Sequence, residues 1–227
     1  DYFTGQLDQI RIYNYARTPA QIAYDYNKGG PIGWWKFDEC QGNIAYDWSG
    51  NGNHGTINID SSGSQNSLGT CQVGTSAAWT NGSVGKINSS LNFDGTDDYI
   101  TFSNSNSLKF GSGDFSFSFW TYKTSEGTAY GSYINKGGYT DGINCYDGNF
   151  RVNTNTGELA RVRLRATLNK WEYHTLVVTQ NSTPYILHYI NGKLDNTGYS
   201  EVGNKGTYPS DNYDLIIGKS TAGGVNR

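Results

Sequence analysis

The 227-residue sequence has no Met, 4 Pro, 3 Cys and 16% charged residues, and each shortage excludes something. Helical proteins draw on more Leu, Ala, Glu and Lys than this chain carries. The formal net charge is −3 and the pI about 5.6, so there is no cationic excess of the kind nucleic acid requires. No apolar run approaches the ~18 residues of a membrane span. There is no signal peptide, and the chain opens on Asp1, which fits a processed or trimmed chain with residues beyond both ends. Cys-x-x-Cys spacing is absent, and His54, His174 and His188 form no zinc pattern with the cysteines. A Gly-x-Ser-x-Gly nucleophile elbow is also missing. So is the Glu-x-Asp-x-x-Glu strand pattern that would set two carboxylates at hydrolase spacing. Glu126, Glu158, Glu172 and Glu201 stand alone. The chain therefore reads as a non-enzyme.

What is present is 30 Gly, 18 Tyr and an aromatic share of 15%, the composition of short strands joined by many turns. Strand candidates recur at 89–94, 98–103, 114–122, 130–135, 148–153, 159–166, 172–180, 184–190 and 213–218, with another at 32–37. Phe115, Phe117 and Phe119 alternate with Ser116, Ser118 and Trp120, which gives one strand face made wholly of Phe. Leu7 to Tyr13 reads as a strand with Ile10 and Ile12 inward. Thr18 is a helix N-cap candidate with Pro19 in the first helical position, so one short helix is expected near 18–25. Lys28-Gly29-Gly30-Pro31 reads as a linker and 38–85 as mostly turns. The pattern predicts an all-β jelly-roll sandwich of two antiparallel sheets with one short helix.

Cys40 and Cys71 lie in Gly- and Asn-rich loop sequence, which predicts a disulfide between them, an oxidising extracellular setting, and Cys145 left over. Arg161, Arg163 and Arg165 share one strand face, read as solvated. Ser61 to Ser64 reads as a mobile loop tip. Asn81, Asn88 and Asn181 each begin a glycosylation acceptor triplet. Trp48, Tyr122, Tyr130, Tyr133, Tyr139, Tyr146 and Tyr208 lie in or beside predicted loops. Of these, Trp48, Tyr130, Tyr133, Tyr139 and Tyr146 are the candidates for stacking on sugar rings, with ordinary packing as the alternative.

Several segments resemble one family. Trp35-Lys36-Phe37-Asp38-Glu39, followed by Ala45-Tyr46-Asp47 and Ser49-Gly50-Asn51-Gly52-Asn53, resembles the opening of a laminin-G-like (concanavalin A-like lectin/glucanase) domain of bacterial surface-protein type. Leu91-Asn92-Phe93-Asp94-Gly95-Thr96-Asp97-Asp98-Tyr99-Ile100 is similar to that family's most specific motif. Phe115 to Trp120, Trp171 to Val178, Tyr189 to Lys193 and Leu215 to Gly218 follow in the family's order.

The resemblance has one displaced part. Phe3 to Ala16 is similar to the motif that closes such a domain, yet it precedes the opening motif. Residues 31–227 are then a laminin-G-like domain without its own closing strand. Residues 1–28 are that strand and helix from a preceding repeat, from a permuted domain, or donated to a neighbouring copy. The absence of Met and the end at Arg227 fit a chain cut from a longer repetitive surface filament.

The resemblance implies a structural Ca²⁺ held by Asp8, Asp38, Asp47, Asn51 and Asn53, since hard Ca²⁺ takes carboxylate, amide and carbonyl oxygens. The alternative for the 47–53 loop is side-chain-to-backbone turn bonding. Asp97 and Asp98 read as turn residues. The implied function is a non-catalytic extracellular or cell-surface module, a structural repeat of a fibre or adhesin with carbohydrate binding. Its expected partners are other copies of the chain or adjacent repeats and carbohydrate, with no nucleic acid and no membrane span. The alternative is a lectin-like module attached to a polysaccharide-degrading enzyme.

Overall fold

The computed structural model describes residues 12–18, 22, 30–60, 62–72, 78–80, 85–110, 113–125, 132–137, 142–146, 148–154, 157–179, 183, 185–195, 197–201, 203 and 212–219. The described elements are fifteen strands and one 3₁₀ turn at Asn106–Leu108. In chain order the strands are β1 (Ile44–Ala45), β2 (Gly55–Asn58), β3 (Trp79–Thr80), β4 (Ser90–Leu91), β5 (Tyr99–Phe102), β6 (Phe115–Tyr122), β7 (Ile134–Gly137) and β8 (Gly142–Tyr146). They continue as β9 (Asn149–Thr154), β10 (Gly157–Arg163), β11 (Trp171–Val178), β12 (Ile186–Ile190), β13 (Lys193–Leu194), β14 (Ser200–Glu201) and β15 (Leu215–Ile217).

They form a nine-stranded sheet, ordered β1-β2-β5-β15-β7-β8-β9-β10-β14, a four-stranded sheet, ordered β13-β12-β11-β6, and the small pair β3-β4. Every pairing between these strands is antiparallel. The all-β sandwich expected from the alternating pattern is the fold found.

Strict alternation makes the four-stranded sheet two-faced. On β11, Glu172, His174, Leu176 and Val178 are buried, while Trp171, Tyr173, Thr175 and Val177 are half-buried on the other face. On β6 the Phe face points inward and the Ser and Trp120 face outward. The inner face packs on the nine-stranded sheet, where Leu176, Val178 and Ile186 meet Ile143, Phe150, Val152, Leu159, Ala160 and Val162. A second cluster gathers Ala45, Ile57, Trp79, Ile100, Phe102, Ile134 and Leu215. Phe117, Phe119 and Tyr133 touch both clusters and join them into one core.

Cys40 and Cys71 are bonded, with Cα atoms 4.8 Å apart. The bridge Gln41↔Thr70 and the Cys71 N–Cys40 O bond at 3.0 Å flank the disulfide. Closing a loop of 31 residues contributes about 3–4 kcal/mol in the chain-entropy model.

Several expectations are corrected. The stretch read as turns contains β1, β2 and β3. The opening strand at 32–37 reduces to the single bridge Trp35↔Asp47. The Ser62–Ser64 tip is tied down, because Ser62 N and Ser64 N donate to Asp97 and Asp94 at 3.0 and 2.7 Å. Ile12, expected to face inward, is 93% exposed, and Arg17 lies 4.1 Å over the Tyr13 ring instead. Most of the 7–13 strand and the 18–25 helix falls outside the described residues. Within them, Ile22 N bonds Thr18 O at 3.0 Å.

Candidate functional site

The 47–53 loop is the expected cation site, and its carboxylate is already engaged by hydrogen bonds. A carboxylate has about four lone-pair positions. Asp47 Oδ1 accepts Trp34 N at 2.9 Å and Ser49 N at 2.8 Å. Oδ2 accepts Ser49 Oγ at 2.8 Å and Asn53 N at 2.9 Å. All four positions are filled by the protein. Burial raises the pKa of Asp47, but these donors outweigh it and hold the carboxyl below the ordinary carboxylate range.

The neighbouring amides are likewise committed. Asn51 Nδ2 and Asn53 Nδ2 donate to Ile32 O at 3.1 and 2.9 Å. Asn53 Oδ1 accepts Ser105 Oγ and Ser107 Oγ at 2.5 and 2.9 Å. Asp38 Oδ2 accepts Asn88 Nδ2 at 3.2 Å, which turns it towards the 85–91 segment, and its Oδ1 is buried without a hydrogen-bond partner. Asp8 lies outside the described residues. The donor set therefore does not fit a resident Ca²⁺ at Asp47, Asn51 and Asn53, and the loop is a self-contained turn that ties Ile32 and Trp34 to the 105–107 turn.

The structure gathers a different acidic group, read in the sequence only as turn residues. One carboxylate oxygen each from Asp94, Asp97 and Asp98 lies within 4.8 Å of the others. Asp94 takes Thr96 N on Oδ1 at 2.8 Å, and Ser64 N and Gln65 N on Oδ2 at 2.7 and 3.0 Å. Asp98 Oδ2 accepts Asp94 N at 2.9 Å. The 62–65 segment closes tightly over the group, because Gly63 has φ +82° and a Cβ there would overlap the Asp94 carboxylate. Asp98 is only 4% exposed. Its pKa is raised by burial first, and the Asp94 and Asp97 charges add to that while the Asp94 N–H opposes it.

The outer face of the four-stranded sheet carries the other candidate. Register places Trp171 opposite Tyr122 and Tyr173 opposite Trp120. The ring centroids are 5.5 and 5.1 Å apart in these two pairs. Two side-by-side cross-strand pairs make a platform of four rings, with Trp120 37% and Tyr122 44% exposed. Lys86 Nζ sits 4.7 Å over the Trp120 ring and borders the platform with a cation. Sequence reasoning looked for such rings in loops, noted Tyr122 beside one, and placed none of the four among the stacking candidates. The missed signal was parity: Trp120, Tyr122, Trp171 and Tyr173 all occupy outward positions of their strands.

Of the loop candidates, Trp48 is 58% exposed and stacks against Lys36 Nζ at 4.1 Å, which also lies 4.5 Å over Trp34. Tyr133 packs in the core, stacked on Phe119 at 5.7 Å, so its ring serves the fold. Tyr130 and Tyr139 lie outside the described residues, and Tyr146 is placed only as backbone on β8.

Glu172, His174 and His188 of the four-stranded sheet face inward. His174 Nδ1 and His188 Nε2 are 2.9 Å apart and share one proton. Glu172 Oε2 accepts Thr167 N at 2.8 Å and Oε1 accepts Thr167 Oγ1 at 2.9 Å. Lys170 Nζ lies 3.5 Å from Oε1. Burial raises the pKa of Glu172, but these partners bring it below its ordinary value. Glu158 faces Arg151 and Arg161 at 3.8 and 3.6 Å, so part of the Arg row has a local acidic partner.

No curated protein matches this chain. Among solved structures it is similar to the binding domain of botulinum neurotoxin serotype D, at 16% identity and a TM-score of 0.44. That match covers 83% of this chain and 43% of the toxin domain chain, so this chain spans less than half of that one. The laminin G family model described as the concanavalin A-like lectin/glucanases superfamily matches residues 94–227. Those residues carry the acidic loop, the Phe-faced strand and the aromatic platform, and the chain belongs to the concanavalin A-like lectin/glucanase superfamily.

Proposed function

We propose that this chain is a non-catalytic, extracellular carbohydrate-binding module whose binding face is the platform of Trp120, Tyr122, Trp171 and Tyr173. The observation that carries the reading is the pair of cross-strand aromatic pairs on an outward sheet face. Along each strand the rings repeat at about 6.4–6.8 Å, twice the per-residue rise. An extended glycan can lay successive sugar rings on such a row, with C–H groups against the aromatic faces. Ser118 and Thr175 continue the face with hydroxyls opposite each other. Asp47 and Asp94 are occupied by structural donors, and Asp97 and Asp98 lie in the acidic turn, which supports binding over hydrolysis. The Cys40–Cys71 bond supports an oxidising compartment.

Residues 1–28 serve, in this proposal, as the closing strand and helix for a neighbouring copy in a surface fibre. Two observations support it. Ile12 is 93% exposed, and β6 stands at the edge of its sheet among the described strands, where an added strand would cover an open ladder.

Affinity electrophoresis against a panel of soluble polysaccharides tests the binding face. A retarded wild type and at least about tenfold weaker binding for Trp171→Ala and Trp120→Ala are expected, on the order of one stacked ring. Equal retardation of wild type and both variants overturns the platform. Light scattering tests the assembly: a monomer at all concentrations overturns strand donation.

A further inference from the structure

The acidic group at Asp94, Asp97 and Asp98 has features that turn chemistry does not explain. Asn, Asp and Ser make turns by satisfying backbone N–H groups, and Asp94 does this with three of them. Asp97 takes only Ser62 N, at 3.0 Å, and Asp98 only Asp94 N, at 2.9 Å. Asp97 Oδ1 and Asp98 Oδ1 are buried and have no hydrogen-bond partner. Asp98 is itself more than nine-tenths buried. A buried acceptor without a donor is costly, more so when charged and beside two like charges.

We infer that Asp94, Asp97 and Asp98 form a Ca²⁺ site. The buried, unpartnered oxygens of Asp97 and Asp98 point to a missing cation, because a cation satisfies acceptors that no N–H reaches. The chemistry is hard oxygen throughout, as Ca²⁺ or Mg²⁺ requires. Ca²⁺ suits an irregular donor set, whereas Mg²⁺ demands near-ideal octahedral geometry and dehydrates reluctantly. The three ligand oxygens here lie within 4.8 Å of one another, close enough to share one ion. The site joins two loops, because Ser62, Ser64 and Gln65 donate to the same carboxylates from thirty or so residues upstream. Binding would therefore lock the 62–65 segment onto the entry to β5. The proposal does not rest on the carbohydrate platform, and either can fail alone.

The test uses the whole chain stripped of metal. Calorimetric titration with CaCl₂ is expected to give one site per chain, in the about 10⁻⁴–10⁻³ M range of extracellular modules. Millimolar Ca²⁺ should raise the melting temperature, EDTA should reverse the rise, and Mg²⁺ should act more weakly. Asp97→Asn and Asp98→Asn should abolish the Ca²⁺ response, while Asp47→Asn keeps it. Hydrogen exchange on the wild type supplies a readout that needs no variant: Ca²⁺ should slow exchange at Ser62, Ser64, Gln65 and Thr96. The inference is overturned if the wild type shows neither binding heat nor melting shift with Ca²⁺. It is equally overturned if both Asn variants retain wild-type affinity, or if Ca²⁺ leaves exchange in 62–65 unchanged.

Discussion

Lowering the pH should weaken the fold well before the ordinary carboxylates titrate, and the cause is the histidine pair in the core. His174 and His188 are 2% and 0% exposed, parallel to within 11°, and His174 also stacks on Phe119 at 5.6 Å. Burial lowers the pKa of His174 from 6.5 to about 4, with His188 adding to the shift while Glu172 and Asp195 oppose it. His188 is lowered by burial as well, against the opposing effect of Asp195. Both depressions have the same sign. Below pH 6.5 the unfolded chain binds protons that the folded chain refuses, so stability is fully present above that value and is lost as pH falls towards 4. With the His174 values, the loss is about 2 kcal/mol at pH 5 and approaches about 3 kcal/mol below pH 4. Urea unfolding followed by Trp fluorescence from pH 7.5 to 5 measures it. His174→Gln should flatten the slope relative to wild type, whatever its absolute stability. A wild-type stability constant over this window, or an unchanged slope in His174→Gln, would refute the reasoning.

Two further outcomes follow from the loops. Replacing both Cys40 and Cys71 by Ser should lower unfolding stability by about 3–4 kcal/mol, read from urea midpoints; a loss under about 1 kcal/mol would mean the flanking backbone bonds hold the loop closed without the covalent link. Asp47→Asn puts an NH₂ where Asp47 Oδ2 now accepts Asn53 N and Ser49 Oγ, so a loss of about 2–4 kcal/mol is expected, equal in Ca²⁺ and in EDTA. A Ca²⁺-dependent difference in that loss would return the cation to the 47–53 loop.

The strands that were legible in the sequence are those whose period-2 pattern is their own: the Phe face of β6, the buried–exposed alternation of β11, and β12 beside it. β2 was not legible, because Gly-Thr-Ile-Asn carries turn residues and becomes a strand through its neighbours. Gly55 sits so close to Phe102 that a Cβ would overlap the ring, and β2 pairs with β5 along its whole length. β8 is hidden in the same way by Gly and Asn in Gly142-Ile143-Asn144-Cys145-Tyr146, and is revealed only by pairing with β7 and β9. The aromatic platform needed register as well as parity. Each strand shows two outward aromatics, but only the alignment Trp171↔Tyr122 and Tyr173↔Trp120 turns four residues into one surface.

The two acidic loops show why residue type and spacing misplace a cation. Around Asp47 the sequence is richer in oxygen ligands, yet every lone pair of the carboxylate meets a donor, and the Asn53 carbonyl meets two hydroxyls. A cation at Asp47 would have to displace four bonds already made to a charged acceptor, each worth about 1.5–3 kcal/mol. At Asp94, Asp97 and Asp98 three carboxylates offer about twelve lone-pair positions. Five backbone N–H groups reach them. The Asp97 and Asp98 oxygens that stay unpartnered are buried beyond the reach of bulk water. The deficit of donors, and not the number of acids, distinguishes the clustered carboxylates of the 94–98 turn from the saturated carboxylate of Asp47. The 62–65 segment, which arrives from another part of the chain, supplies three of the five N–H groups and still leaves Asp97 Oδ1 and Asp98 Oδ1 unserved.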